Sequence, residues 1–195
     1  MTPTSSGLVL ASSSPRRLAL LRRVGVEPDA VVTPEVDETV RPGELPRDYA
    51  RRLADTKARA VHARVPDRHV LAADTVVACG RRILDQTEDE AEARRALALL
   101  SGRRHRVWTA VAVAPPDGGV RIKTAMTQVR FKRLARDEID AYIDTGEWRG
   151  KAGAYAIQGR AEAFVLQLNG SYSNVVGLPT ALALALLRGT GWRAA

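Results

Sequence analysis

Residues 8–18 read Leu-Val-Leu-Ala-Ser-Ser-Ser-Pro-Arg-Arg-Leu, and this stretch decides the fold. The apolar run predicts a buried strand, and Pro15, with Ser14 as N-cap, predicts the start of a helix directly after it. Strands and helices continue to alternate along the chain, with long Val- and Thr-rich strands at 106–114 and 120–134. The sequence therefore predicts an α/β fold with a mixed central sheet flanked by helices, and a cleft between two lobes.

The same stretch carries the first functional signal. Arg16 and Arg17 fall in the first turn of the predicted helix, where the helix dipole disfavours each cation by about 0.3 kcal/mol or more. Hydroxyl groups, free backbone N–H groups and two guanidinium groups together favour a site for a phosphate-sized anion. The alternative that these residues leave open is an ordinary serine N-cap followed by solvated arginines.

Composition limits the classes of protein to which the chain can belong. Its 195 residues are 45% hydrophobic, which suffices for one large domain or two closely packed lobes with a real core. The net charge of +8 is the excess of 30 basic residues, 26 Arg and 4 Lys scattered along the chain, over 22 Asp and Glu, and only 5% of residues are aromatic. We therefore expect no nucleic-acid partner, although the excess charge would draw a small polyanion into a cleft.

The sequence also predicts where the protein is located. No apolar run approaches the ~20 residues of a membrane span, and the chain does not open with a basic segment and an apolar signal core. Cys79 is the single cysteine, so an intrachain disulfide is excluded and a cytoplasmic location is the default expectation.

Further elements are predicted from periodicity and from helix start and stop signals. They are helices at 15–24, 46–64, 87–100, 137–144 and 179–187, short strands at 7–11, 30–33, 82–84 and 164–168, and apolar runs at 69–73 and 76–79. Thr87 to Glu90 has the pattern of a capping box for the third of these helices.

Asp74 is the second functional signal, because it interrupts the apolar segment 70–77. A carboxylate buried there is costly unless a cation pairs with it, and such a residue could hold a divalent metal or take a proton from water. The alternative is that Asp74 and Thr75 form a solvent-facing turn.

Lys57 is the third signal. Leu53, Lys57 and Val61 are spaced four apart and share one helix row, so the lysine lies on the apolar, inward stripe. A lysine there either extends to solvent or meets an anion.

Glu38 and Gln158 are weaker candidates. Glu38 lies in an acidic loop segment before the second helix and is either a solvated loop charge or, if the loop folds over the anion site, a partner of Asp74 for a shared cation. The Gln158 amide can match the edge of a nucleobase or make a structural hydrogen bond to the backbone.

Together these segments resemble the Maf family of nucleotide pyrophosphatases, in family order over nearly the whole chain. The matching motifs are Leu-Ala-Ser-Ser-Ser-Pro-Arg-Arg (10–17), Val-Asp-Glu (36–38), Leu-Ala-x-x-Lys-Ala (53–58), Ala-Asp-Thr (73–75), Leu-Ser-Gly-x-x-His-x-Val (100–107), Lys-Ala-Gly-Ala-Tyr-x-Ile-Gln-Gly (151–159) and Asn-Gly-Ser-Tyr-x-x-Val-Val-Gly-Leu-Pro (169–179). The resemblance implies one two-lobed domain over residues 1–195, related in fold to the inosine-triphosphate pyrophosphatases. It also implies a cytoplasmic homodimer that needs Mg²⁺ or Mn²⁺ and hydrolyses nucleoside triphosphates to monophosphate and pyrophosphate.

The resemblance assigns roles by motif position. It implies that Asp74 is the base that activates water and that Glu38 and Asp74 hold the metal. The residues it assigns to the substrate are Ser12, Arg16, Arg17, Lys57, Thr75 and Gln158. Ile157-Gln158-Gly159 is similar to the form found in the subfamily that prefers dTTP and UTP, whereas Ser-Glu-Gly marks a subfamily that prefers 7-methyl-GTP.

One position departs from the family pattern. Gln86 stands where the family usually has a lysine, so the phosphate site loses a positive charge. This change predicts weaker turnover, a shifted substrate, or compensation by Arg81 or Arg82. It also favours a second hypothesis, a non-catalytic nucleotide-binding regulator of cell division.

Overall fold

The structure is a computed structural model that describes residues 7–193. Its strands are β1 (Leu8–Ala11), β2 (Ala30–Val32), β3 (His69–Cys79), β4 (Arg82–Leu84), β5 (Arg104–Ala114), β6 (Arg121–Phe131) and β7 (Val165–Asn169). They form one sheet in the order β2-β1-β3-β5-β6-β7, with β4 paired to β3. The pairs that β1 makes with β2 and β3 are parallel and the others are antiparallel, so the predicted mixed sheet is confirmed.

Helices cover both faces of this sheet. They are α1 (Pro15–Arg23), α2 (Pro46–His62), α3 (Glu90–Leu100), α4 (Arg136–Ile143), α5 (Tyr172–Val176) and α6 (Thr180–Gly189), with 3₁₀ turns at Ala152–Ala154 and Arg160–Phe164. The turns and α5 were not predicted from the sequence.

Two predicted local features are wrong in detail. Helix α3 begins at Glu90 and not at Thr87, because the Asp89 carboxylate accepts the N–H of Glu92 and makes Asp89 the N-cap. The two apolar runs around Asp74 are a single strand, β3, because every residue from 70 to 78 pairs with β5 without a break.

Alternate residues of the central strands point to opposite faces of the sheet and pack into two separate hydrophobic cores. Leu10 and Leu71 point toward α1 and α6, whereas Val9 and Val70 point toward α2. Each fully buried aliphatic side chain contributes roughly 1.5–3 kcal/mol, so this alternation fixes the register of β1 against β3.

A third core lies at the other end of the sheet, where α3 and α4 pack on the ends of β5 and β6. His105 is buried there in edge-to-face contact with Phe131 and Tyr155, and its Nε2 lies 2.8 Å from the Tyr155 hydroxyl. Burial lowers the pKa of His105 to about 4, so the ring is neutral at pH 7.

Between these cores, one edge of β3 lacks a neighbouring strand. On that edge β1 pairs with residues 69–72 and β4 with residues 77–79, which leaves residues 73–76 uncovered. The gap opens at the carboxyl end of β1 and beside the first turn of α1, a common place for ligands in α/β proteins. Among the helices of residues 7–193, none has the length and apolar character needed to cross a membrane.

Candidate active site

A cleft occupies the gap in the edge of β3. One wall is formed by α2 and the loop before it, and the opposite wall by the segment 150–158 together with the start of α1. Most of the residues singled out from the sequence line it: Arg16, Arg17, Glu38, Lys57, Asp74, Thr75, Gln86 and Gln158.

Asp74 and Lys57 form a buried ion pair at the base of the cleft. The Lys57 Nζ lies 2.7 Å from Asp74 Oδ1, and each residue is only 6% exposed. Glu38 joins them from the rim, since its Oε1 lies 2.9 Å from the same ammonium. The alternative of a lysine extending to solvent is therefore wrong, and so is that of a solvent-facing turn at Asp74-Thr75.

Strand alternation explains why Asp74 meets Lys57. Asp74 is on the same face of β3 as Val70 and Ala72, which pack beneath α2. Lys57 lies in the inward row of α2, as the four-residue spacing predicted, and faces that side of the strand.

The loop before α2 is tied down so that Glu38 overhangs this pair. The Tyr49 hydroxyl donates to the Glu38 carbonyl at 2.6 Å, and Arg52 donates to the Thr39 carbonyl at 2.9 Å while pairing with Glu44. The Glu38 side chain stays 44% exposed and is nevertheless held in the cleft.

Burial raises the pKa of Asp74 above its usual value, and the positive charges of Lys57 and Arg17 oppose that rise. A carboxylate with a raised pKa is a better proton acceptor than an ordinary aspartate, because its basicity is closer to the working pH. Asp74 therefore combines burial, an ion-pair partner and a raised pKa, which are features common among functional carboxylates.

Arg17 is held by neutral groups from distant parts of the chain. Its Nε donates to the Gly177 carbonyl at 2.9 Å, and its Nη atoms donate to the hydroxyls of Ser12 at 3.3 Å and Thr75 at 3.4 Å. Burial lowers the pKa of Arg17, as expected for a cation removed from water. A guanidinium has five N–H groups, so two of them have no partner among residues 7–193 and can serve a ligand.

Ser12 lies behind Arg17 and does not line the cleft. The residue is 2% exposed, and its Oγ accepts the backbone N–H of Ser14 at 3.1 Å as well as the Arg17 guanidinium. Ser14 is the N-cap of α1, but its side chain makes no capping hydrogen bond, so an ordinary serine N-cap is not what this turn contains. Ser13 and Ser14 line the cleft in place of Ser12.

Arg16 lines the cleft, and no hydrogen bond or ion pair holds its side chain within the described residues. Among residues 7–193, no carboxylate lies within salt-bridge distance of it, and both burial and the charge of Arg17 lower its pKa. The first turn of α1 thus presents an unmatched cation to the cleft.

The far side of the cleft contains groups that could face the rest of a ligand. Gln158 is exposed, and its amide makes no hydrogen bond within the described residues, so the alternative of a structural backbone bond is wrong. Gln86 is exposed on the same rim, whereas Arg81 and Arg82 do not line the cleft. Lys151 does line it and was not singled out from the sequence, because one lysine in a glycine-rich stretch gives no periodic signal.

The site has few metal ligands. Within residues 7–193, no three His, Cys, Asp or Glu side chains come together as a metal cluster. The oxygen donors that converge are those of Asp74 and Glu38, on either side of the Lys57 ammonium. Two carboxylates fit a hard divalent cation that completes its coordination with water and phosphate oxygens.

Comparison with known proteins finds relatives over nearly the whole chain. The profile of a family described as Maf-like protein matches residues 7–190. A dTTP/UTP pyrophosphatase of Sphingopyxis alaskensis is 59% identical over 184 residues, which is 94% of this chain and 96% of that protein. A nucleoside triphosphate pyrophosphatase of Anaplasma phagocytophilum is 53% identical over 182 residues, which is 93% of this chain and 94% of that protein.

A solved structure gives the same picture of the fold. The structure of a HAM1 protein from Coxiella burnetii is similar with a TM-score of 0.51 at 15% identity, over 93% of this chain and 98% of that one. At that level of identity the likeness concerns the fold alone.

Proposed function

This chain belongs to the Maf family, and we propose that it hydrolyses nucleoside triphosphates between the α and β phosphates, releasing monophosphate and pyrophosphate. The observation that carries the proposal is the buried Asp74 carboxylate at the base of a cleft whose opposite side presents unmatched cations. A base beside a polyanion site is the minimum that hydrolysis of a phosphoanhydride requires. The names of the relatives support the same reaction.

In this mechanism Asp74 orients a water molecule and accepts its proton as the water oxygen attacks the α phosphorus. The bond from that phosphorus to the bridging oxygen breaks, and pyrophosphate leaves with the electron pair. Arg16 and the two free N–H groups of Arg17 stabilise the charge on the phosphate oxygens, and Lys57 assists from the base of the cleft. Ser12 and Thr75 hold Arg17 in place through their hydroxyl groups.

Glu38 and Asp74 are the residues that would hold a divalent cation, Mg²⁺ or Mn²⁺. When bound, the cation would neutralise phosphate charge and act as a Lewis acid. The Lys57 ammonium already bonds one oxygen of each carboxylate, Asp74 Oδ1 and Glu38 Oε1, so a cation would be held by the other oxygen of each group.

Pyrimidine nucleotides, dTTP and UTP, are the proposed substrates, along with modified pyrimidine nucleotides. The Gln158 amide is exposed in the cleft with its donor and acceptor free, as recognition of a base edge requires. Hydrophobic side chains that line the same cleft would cover the face of the base.

The test is a screen for pyrophosphate release over a panel of nucleotides with Mg²⁺ and with Mn²⁺. We expect release from UTP and dTTP to exceed release from purine nucleotides. Asp74→Asn should lower kcat roughly 100-fold or more while binding of UTP stays measurable, because the amide keeps the shape and loses the base. Full activity of Asp74→Asn would remove Asp74 from the role of base.

A second candidate function follows from Gln86. With glutamine where the family usually has lysine, this rim of the cleft has one positive charge fewer. This second function is that of a nucleotide-binding regulator of cell division without catalysis. Binding of UTP with no pyrophosphate release from any nucleotide would favour it.

We also propose that the protein is a cytoplasmic homodimer that binds no nucleic acid. Sedimentation equilibrium would test the oligomeric state.

A further inference from the structure

Lys151 is the second lysine of the cleft, and its surroundings differ from those of Lys57. Its Nζ donates to the Arg149 carbonyl at 2.8 Å, and the other two N–H groups of the ammonium have no partner within the part of the chain that the structure describes. Among residues 7–193, no carboxylate lies within salt-bridge distance of it, whereas Lys57 has two. Lys151 is half-buried and lines the cleft together with Arg16.

The backbone around Lys151 is fixed on both sides. Before it, the Gly150 N–H donates to the Thr87 carbonyl at 3.1 Å. After it, Gly153 has a φ of +70° and lies so close to Val77 that an added Cβ would come within 2.8 Å of Val77 Cγ1. The lysine therefore projects from a firmly placed segment and not from a free loop.

Electrostatics along this side of the cleft favour an anionic ligand. Burial and the charge of Arg16 both lower the pKa of Lys151, and Glu88 opposes them only partly. Two cations that repel each other on one wall of a cleft are stabilised when an anion binds to both of them. Gln86 lines the same cleft and contributes no charge, whereas Lys151 adds an ammonium group to it.

We propose that Lys151 binds the phosphate chain of the substrate, facing it from the side opposite Lys57 and acting together with Arg16. This assignment rests on the proposed function, because it takes the triphosphate as the ligand. It also explains how a cleft with glutamine at position 86 keeps a cation on that rim.

The experiment measures binding of inorganic tripolyphosphate, UTP and UMP by calorimetry, in the Asp74→Asn background so that UTP is not consumed. Lys151→Gln should weaken tripolyphosphate and UTP about 10- to 100-fold, the effect of a lost charge-assisted hydrogen bond, and weaken UMP much less. Lys151→Arg should bind tripolyphosphate within roughly threefold of the parent because it keeps the charge. Lys123→Gln, at an exposed position outside the cleft, is the matched control and should change nothing.

The outcomes separate this inference from the proposed activity. Tripolyphosphate binding by Lys151→Gln at the parent affinity overturns the role of Lys151, whatever the unmodified enzyme hydrolyses. Weakened binding supports it even if the unmodified protein releases no pyrophosphate, and in that case the proposed activity alone is wrong. An unchanged unfolding midpoint of Lys151→Gln without ligand would show that the loss is not one of folding.

Discussion

The two sides of the cleft handle charge in opposite ways. On the carboxylate side, formed by Glu38, Lys57 and Asp74, one ammonium lies within 3 Å of two carboxylate oxygens. On the cation side, formed by Arg16 and Lys151, no carboxylate within the described residues pairs with either group. Charge on the carboxylate side is therefore compensated within the fold, whereas charge on the cation side is left for a ligand to compensate.

Lys57→Met should have the largest effect on stability. The substitution leaves the Asp74 carboxylate buried without its counter-charge, which costs about 3 kcal/mol or more of the free energy of unfolding at pH 7. Urea denaturation measures this loss. Adding Asp74→Asn should recover part of the stability because it removes the buried charge, and a single variant as stable as the parent would contradict a structural role for this side.

His105 lies in a buried aromatic cluster and contacts Tyr155, which lines the cleft, and the pH dependence of stability tests whether His105 is neutral there. The pKa of His105 is about 4 in the folded protein and about 6.5 when unfolded, so its contribution is complete above pH 6.5 and is lost as pH falls toward 4. Between pH 7.5 and 4.5 this loss amounts to about 2.5 kcal/mol. Denaturation of the parent and of His105→Gln should differ in pH dependence by that amount, and parallel curves would show that His105 is not buried in its neutral form.

Arg16→Gln should have the smallest effect on stability and should still impair function. Removing a cation from the first turn of α1 relieves repulsion by Arg17 and by the helix dipole, so the free energy of unfolding should stay the same or rise by up to about 0.5 kcal/mol. Pyrophosphate release should fall at least roughly tenfold. Thermal unfolding and a turnover assay on the same preparation check both, and a clear loss of stability would mean that Arg16 has a structural partner.

The carboxylate side could largely be predicted from the sequence, because it depends on regular periodicities. Spacing of four placed Lys57 inward on α2, and interruption of an apolar strand marked Asp74 as a residue that needs a cation. That each is the other's partner could not be predicted, since it depends on which face of β3 lies under α2. The position of Glu38 depends in addition on the hydrogen bond from Tyr49 that holds its loop, and no sequence pattern indicates that contact.

The cation side was harder to predict, because its residues are not placed by regular periodicities. Lys151 is placed by a 3₁₀ turn and by a hydrogen bond from Gly150 to a carbonyl on a distant segment, and neither has a period. The role of Ser12 was also hidden, because a serine that caps a helix and one that positions an arginine look alike in sequence. Two element boundaries were predicted wrongly. The start of α3 is set by a single side-chain hydrogen bond, and β3 is continuous because its pairing with β5 is unbroken.

The hydrogen bond from Arg17 to the Gly177 carbonyl joins positions 160 residues apart, and this has a consequence for how the protein folds. Contacts of such large sequence separation form slowly, because a long loop of chain must be closed before they contribute any stability. During synthesis, a nascent chain that has not yet reached Gly177 contains Arg17 without its anchor. The cleft is therefore completed only after residue 177 has been synthesised, so a shorter nascent chain lacks a properly anchored Arg17.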